Sequence, residues 1–133
     1  MPFEMTKPIA ELQADAIARV NQQAETIRGQ YLTPGTGQAL TYLCKLMDAQ
    51  AYQAAGYPMP ASAYPWINAE ATATGKTPQA VAELIIAAGQ RWHSVGAQIE
   101  AARQQALAAL KAAMDGKAVY DAEVAFNNAV SRL

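Results

Sequence analysis

The sequence predicts an all-α protein, a three- to four-helix antiparallel bundle with one long spine helix over about residues 78–114. Three observations predict it. Alanine with glutamine, glutamate, lysine and arginine dominates the composition, the mixture typical of long helices. Apolar residues recur every three or four positions in successive stretches, which is the period of a helix face. No run of alternating apolar and polar residues is long enough to make a useful strand.

The first helix opens near Pro8, a residue suited to a first turn because its missing N–H is unpaired there anyway. Ile9, Leu12, Ala16, Val20, Ala24 and Ile27 form its apolar stripe, and Gln13, Arg19, Gln22 and Arg28 its polar side. Gly29 stops it. Tyr31-Leu32 then reads as extended, Thr33-Pro34 prefers extension too, and Pro34-Gly35 is a turn. Thr36 is a candidate cap for the second helix. That helix takes its stripe from Leu40, Leu43, Cys44, Met47, Ala51 and Ala54 and ends at Gly56. Three prolines make Gly56–Pro65 a loop, and Trp66–Gly75 leaves room for a short helix.

Thr77-Pro78 is a start signal, a hydroxyl cap followed by proline at the first helical position. From there Val81, Ile85, Ala88, Trp92, Val95, Ile99, Ala102, Ala106, Ala109 and Ala113 hold one stripe. If unbroken, the helix is on the order of 55 Å long. Gly89 and Gly96 within it suggest close helix contacts or a bend. Asp115-Gly116 ends it, and Lys117 to Leu133 folds back as a last helix with Val119, Phe126 and Val130 inward. The domain reading is an irregular segment over 1–7 and a single helical domain over 8–133.

Hydrophobic content is 52%, with alanine the largest share; leucine, isoleucine, valine and phenylalanine together reach roughly 18%. A core of alanine buries little area per residue, so a partner or further copies of the chain are expected. Net charge is -1, which implies no basic face for nucleic acid. No apolar run approaches the ~20 residues that span a bilayer. The single cysteine excludes an intrachain disulfide, and the N-terminus lacks the pattern of a signal peptide, so synthesis in a cytoplasm is expected.

Chemistry-bearing motifs are sparse. "TPGTGQALTYLCK" fails as a phosphate-binding loop: Gly35 and Gly37 are too close, no lysine follows Gly37, and a helix precedes it where a strand is needed. His93, the only histidine, cannot build a metal cluster and reads as solvated or interfacial. Cys44 beside Leu43 and Met47 reads as a small core residue in preference to a nucleophile. No carboxylates pair in a way that suggests acid–base work. Catalytic residues, metal ligands and cofactor are therefore expected to be none. The aromatics Tyr31, Tyr42, Tyr52, Tyr57, Tyr64, Trp66 and Trp92 gather mid-chain without basic neighbours, so they do not make a stacking platform for bases. They either fill a helix junction or form a partner-binding patch.

The order of these signals carries a resemblance. Arg28, Tyr31, Gly37-Gln38, Tyr42, Tyr64-Pro65, Glu70, Thr77-Pro78, Trp92 and the Ile99-Glu100-Arg103 run span roughly residues 16–115. Together they resemble the small proteins, and protein C-terminal regions, encoded beside tail-fibre genes of bacteriophages and prophages, described as phage tail or tail-fibre assembly-like proteins. The resemblance implies no enzymatic activity. It implies a structural tail component bound to a tail-fibre or baseplate protein, placed in the virion tail after synthesis in the bacterial host. A homo-oligomer fits, and neither nucleic acid nor membrane is expected as a partner. Two alternatives are an assembly chaperone absent from the mature particle and a small host-directed regulator.

Overall fold

The computed structural model describes residues 7–31 and 37–133. Five helices form among them, α1 (Ile9–Arg28), α2 (Gln38–Ala54), α3 (Pro65–Thr74), α4 (Pro78–Ala112) and α5 (Gly116–Val130), and no strand occurs among these residues. The fold is all-α, and the long helix is there, 35 residues over Pro78–Ala112. The helix number exceeds four because both short stretches, Pro65–Thr74 and Gly116–Val130, close as helices in their own right.

Over the span that the sequence assigns to one helical domain, two compact units form, residues 7–31 with 94–133, and residues 37–93. Each has its own apolar core. Helix α4 contributes its first part to the second unit and its remainder to the first.

The first unit joins α1, the C-terminal part of α4, and α5. Its buried residues are Ala16, Val20 and Ala24 from α1, Ile99, Ala102, Ala106 and Leu110 from α4, Ala113, and Val119, Ala122 and Phe126 from α5. More than half of them are alanine, and Phe126, Ile99 and Leu110 are the largest side chains among them. Gln13 near the start of α1 bonds to carbonyls at the end of α4, and Arg28 at the end of α1 pairs with Glu100, so α1 and α4 are antiparallel. Arg19 pairs with Glu123, and Leu12 lies beside Gly116, so α1 and α5 run parallel.

The helix ends follow the sequence closely. Thr77 Oγ1 accepts from the Ala80 N–H at 3.1 Å and Pro78 sits at the first position of α4. Asp115 accepts from the Ala118 N–H at 2.8 Å and starts α5. At the end of α2 the Gly56 N–H donates to Gln53 O and the Tyr57 N–H to Tyr52 O, both at 3.0 Å. This is a Schellman closure. It needs the left-handed region, which Gly56 occupies at φ 84°, with Tyr57 following at φ 57°. Its hydrophobic contact is the Tyr52–Tyr57 ring pair, edge to face at 5.3 Å. Thr36, the candidate cap of α2, lies outside the described residues.

The second unit packs α2, α3 and the start of α4 around Ala49, Tyr52, Ala61, Ile67, Ala71, Val81, Ala82 and Ile85. Gly89 allows a close approach here. A Cβ built on it would meet Leu46 Cδ1 at 2.7 Å, so α2 rests a leucine where α4 has no side chain.

Candidate protein-interaction face

Helix α2 shows a departure from the sequence reading. The stripe Leu40, Leu43, Met47, Ala51 and Ala54 is expected to face the core, and all five residues are exposed instead. Leu40 keeps 65% of its surface, Leu43 51% and Met47 61%. The helix buries its opposite side: Ala49 and Tyr52 fully, with Tyr42 and Leu46 partly covered. The correction has a physical reason. Helix α2 carries two apolar faces, and the neighbours it meets within its own unit take the one containing tyrosine. Cys44 moves with this correction: it is a half-buried free thiol in register with Leu40 and Met47, not a core residue.

The two charged side chains of α2 explain why that face is chosen. Lys45 forms an ion pair with Glu70 of α3. Asp48 Oδ2 accepts the Ile67 N–H at 3.0 Å. Ile67 lies in the first turn of α3, where Tyr64 provides no side-chain cap. Asp48 therefore caps α3 from a neighbouring helix, and a carboxylate at a helix N-terminus is favoured by the helix dipole as well. Both charges are turned toward α3, which leaves the outer face of α2 without a charged group.

The mid-chain aromatics divide by role. Tyr52 is fully buried and packs edge to face on Tyr57 and at a tilt on Tyr64, the latter at 4.9 Å between ring centres. Its hydroxyl donates to Met59 Sδ at 3.5 Å. Tyr52 has no surface to offer a partner, and the Tyr52–Tyr57–Tyr64 group fills the junction between α2 and the loop before α3. Tyr57 and Tyr64 are half-buried at its edge, and Trp92 on α4 is also half-buried. Tyr31 and Trp66 are exposed. The Tyr42 hydroxyl is buried without a hydrogen-bond partner. Burial pushes this phenol above its ordinary pKa, and Arg91 partly offsets the shift.

Chemistry elsewhere is thin. His93 is exposed. Among the described residues no three His, Cys, Asp or Glu side chains converge as a metal site would require, and no helix is long and apolar enough to cross a membrane. An open cleft of about 730 Å³ lies in the first unit between α1 and α5, lined by Ile9, Leu12, Val119 and Tyr120 among others. Its rim charges engage one another: Lys7 with Asp15 at 3.2 Å, and Arg19 with Glu123 at 2.7 and 2.8 Å. Self-paired charges of this kind offer little to a charged ligand.

Sequence reasoning misses the outer face of α2, Asp48 as a cap, and Gln13. The available signal is in α2 itself, where Tyr42, Leu46, Ala49 and Tyr52 make a second stripe at helical spacing, opposite the first. A helix apolar on both sides within a small protein calls for a second neighbour. Comparison with protein-family models, with curated proteins and with solved structures returns no match for this chain.

Proposed function

We propose that this chain is a structural or assembly component that works by protein contact through the outer face of α2 and catalyses no reaction. The observation that carries this reading is the charge-free row of Leu40, Leu43 and Met47, three large apolar side chains at least half exposed on one side of a helix whose other side is already packed. Isolated exposed apolar residues need no explanation, but an aligned row with no charge in it is characteristic of a surface that is covered in use. The setting is the one the sequence resemblance implies, a bacteriophage tail, with the tail-fibre or baseplate protein as the larger assembly that the chain joins.

Mass spectrometry of purified particles, with copy number, tests this. A fixed low-integer ratio to the tail fibre is expected for a virion component, and Met47→Glu should lower the amount incorporated while leaving the helix content intact. A chain absent from particles yet required for fibre-bearing ones would make it an assembly chaperone. Absence from particles with fibres unaffected would overturn the tail setting.

A further inference from the structure

We infer that the outer face of α2 is covered by α2 of a second copy of this chain, the two helices lying antiparallel. This rests on the reading of that face as a protein interface and names its occupant.

The argument starts from spacing. Leu40, Cys44, Met47, Ala51 and Ala54 are separated by four, three, four and three residues. That is the heptad spacing of a two-helix seam, whose average of 3.5 residues keeps one line of side chains against a partner helix. The buried residues Ala49 and Tyr52, and the partly buried Tyr42 and Leu46, lie on the other side of the helix, so the seam and the packed face do not compete.

Size decides the occupant and its direction. In an antiparallel pair, each core layer joins one of the two seam positions of one helix to the other kind on its neighbour. Leu40 then lies opposite Ala51 of the partner subunit, and Met47 opposite Cys44 of the partner subunit. The four layers built from Leu40, Cys44, Met47 and Ala51 each set a large side chain against a small one, which fills the seam over that length, and Ala54 lies beyond them. A parallel pair would set leucine on leucine at one end and alanine on alanine at the other, leaving a gap at the alanine layer. The seam is thus complementary to its own reverse.

Charge agrees with size. Residues 40, 43, 44, 47, 50, 51 and 54 include none that is charged. The carboxylate of Asp48 and the ammonium of Lys45 are held by α3. A partner with a charged seam would bury those charges against leucine and methionine without a counter-charge, at a large desolvation cost. A copy of the same face meets no such penalty. Extent sets the strength. Helix α2 has 17 residues, so the seam is about 25 Å long and buries less than the ~800 Å² per partner of a standard interface. The dimer is accordingly reversible and concentration-dependent.

Sedimentation equilibrium of the full chain, from about 10 μM to about 1 mM, reads this directly. The wild type is expected to move from monomer toward dimer over that range, and Met47→Glu and Leu40→Glu to remain monomeric with unchanged circular dichroism. Leu40→Ser, milder, should weaken association at least ~10-fold, the effect of about 1.4 kcal/mol. Direction has its own test. Met47→Cys brings the new thiol opposite Cys44 of the partner subunit and should give a covalent dimer under mild oxidation, whereas wild-type Cys44 should cross-link slowly. Rapid wild-type cross-linking would overturn the antiparallel arrangement. A wild type monomeric at about 1 mM would overturn the dimer. If in that case Met47→Glu still abolishes incorporation into particles, the face remains a protein interface with a different occupant. If incorporation is also unaffected, the interface reading fails as well.

Discussion

Gln13 makes a contact out of proportion to its type. Its Nε2 donates to Leu110 O at 2.9 Å and to Ala113 O at 3.0 Å, so one amide closes the last turn of α4 from the side of α1. The final carbonyls of a helix have no partner within it, and α4 has no glycine cap of the left-handed kind at this end. Each such bond is worth about 0.5–1.5 kcal/mol net, and the contact is only partly buried, so Gln13→Met should cost about 1–2 kcal/mol. Gln13→Glu keeps the shape, removes both donors and sets a negative charge against the negative end of the helix dipole, which adds about 0.5–1 kcal/mol. The sign of its pH dependence follows. The new carboxylate is disfavoured in the folded state, so its folded pKa lies above its unfolded one. The extra loss is then fully present above the folded pKa and fades as acid protonates the group and restores one donor. The assay is urea unfolding followed by circular dichroism, with hydrogen exchange at the last turn of α4. Trp66 and Trp92 both lie in the other unit, so their fluorescence serves as an internal reference. Both variants unfolding within about 0.5 kcal/mol of wild type would refute the view that Gln13 holds α1 to the end of α4.

Tyr42→Phe should stabilise the protein by about 1 kcal/mol in the same urea assay, because it removes a buried hydroxyl that has no partner. Asp48→Ala should cost about 1–2 kcal/mol and speed exchange of the Ile67 amide, while Asp48→Asn, which can still accept that bond, should cost less. Glu100 is held to a pKa of about 2 against an ordinary 4.5, first by the hydrogen bond from Arg103, then by that from Gln104, with the charges of Arg103 and Arg28 adding to it. Its contribution to stability is therefore present above about pH 4.5 and is lost as pH falls through about 2; Glu100→Gln should flatten that part of the acid-denaturation profile.

Legibility from sequence tracked how much of each decision was local. All six residues of the α1 stripe, Ile9 to Ile27, are buried or half-buried, because α1 has one apolar face and only one way to turn it. Thr77, Pro78, Asp115 and Gly56 act at the helix ends where their chemistry places them, since caps are decided within a few residues. Helix α2 differs because its two stripes are both apolar. Periodicity ranks the aliphatic one first, yet the choice depends on α3 and α4, which supply Glu70, the Ile67 amide and the Gly89 gap to the other face. That information is distributed over residues 45 to 89 and appears in no local window. Of the seven mid-chain aromatics, Tyr52, Tyr57 and Tyr64 meet as one group, a subset that their spacing in the sequence does not single out. Tyr52 is buried and Trp66 exposed, a division that the spacing of aromatics alone does not make.

The polar contacts between helices make sense against the composition of the cores. Alanine in the first unit brings helices together but constrains their sliding poorly, since a small side chain fits many registers almost equally well. Directional bonds supply what alanine lacks. Gln13 fixes α1 against the end of α4, Asn21 and Arg28 fix it further along against Arg103 and Glu100, and Asp48 fixes α3 against α2. These contacts are not equal. The Arg19–Glu123 pair is short but surface-exposed on the arginine side, and such pairs contribute little once water and salt screen them. Asp48 accepts an N–H that α3 leaves unpaired, and Gln13 donates to Ala113 O and to Leu110 O, the latter otherwise held only by the Ala113 N–H at 3.3 Å, so removing either leaves a backbone group poorly satisfied. Loss of Arg19 should therefore be nearly silent, while loss of Gln13 or Asp48 should loosen the register of a whole helix. In the second unit the consequence reaches the surface. Asp48 anchors the packed side of α2, and the orientation it helps to fix is the one that presents Leu40, Leu43 and Met47 outward.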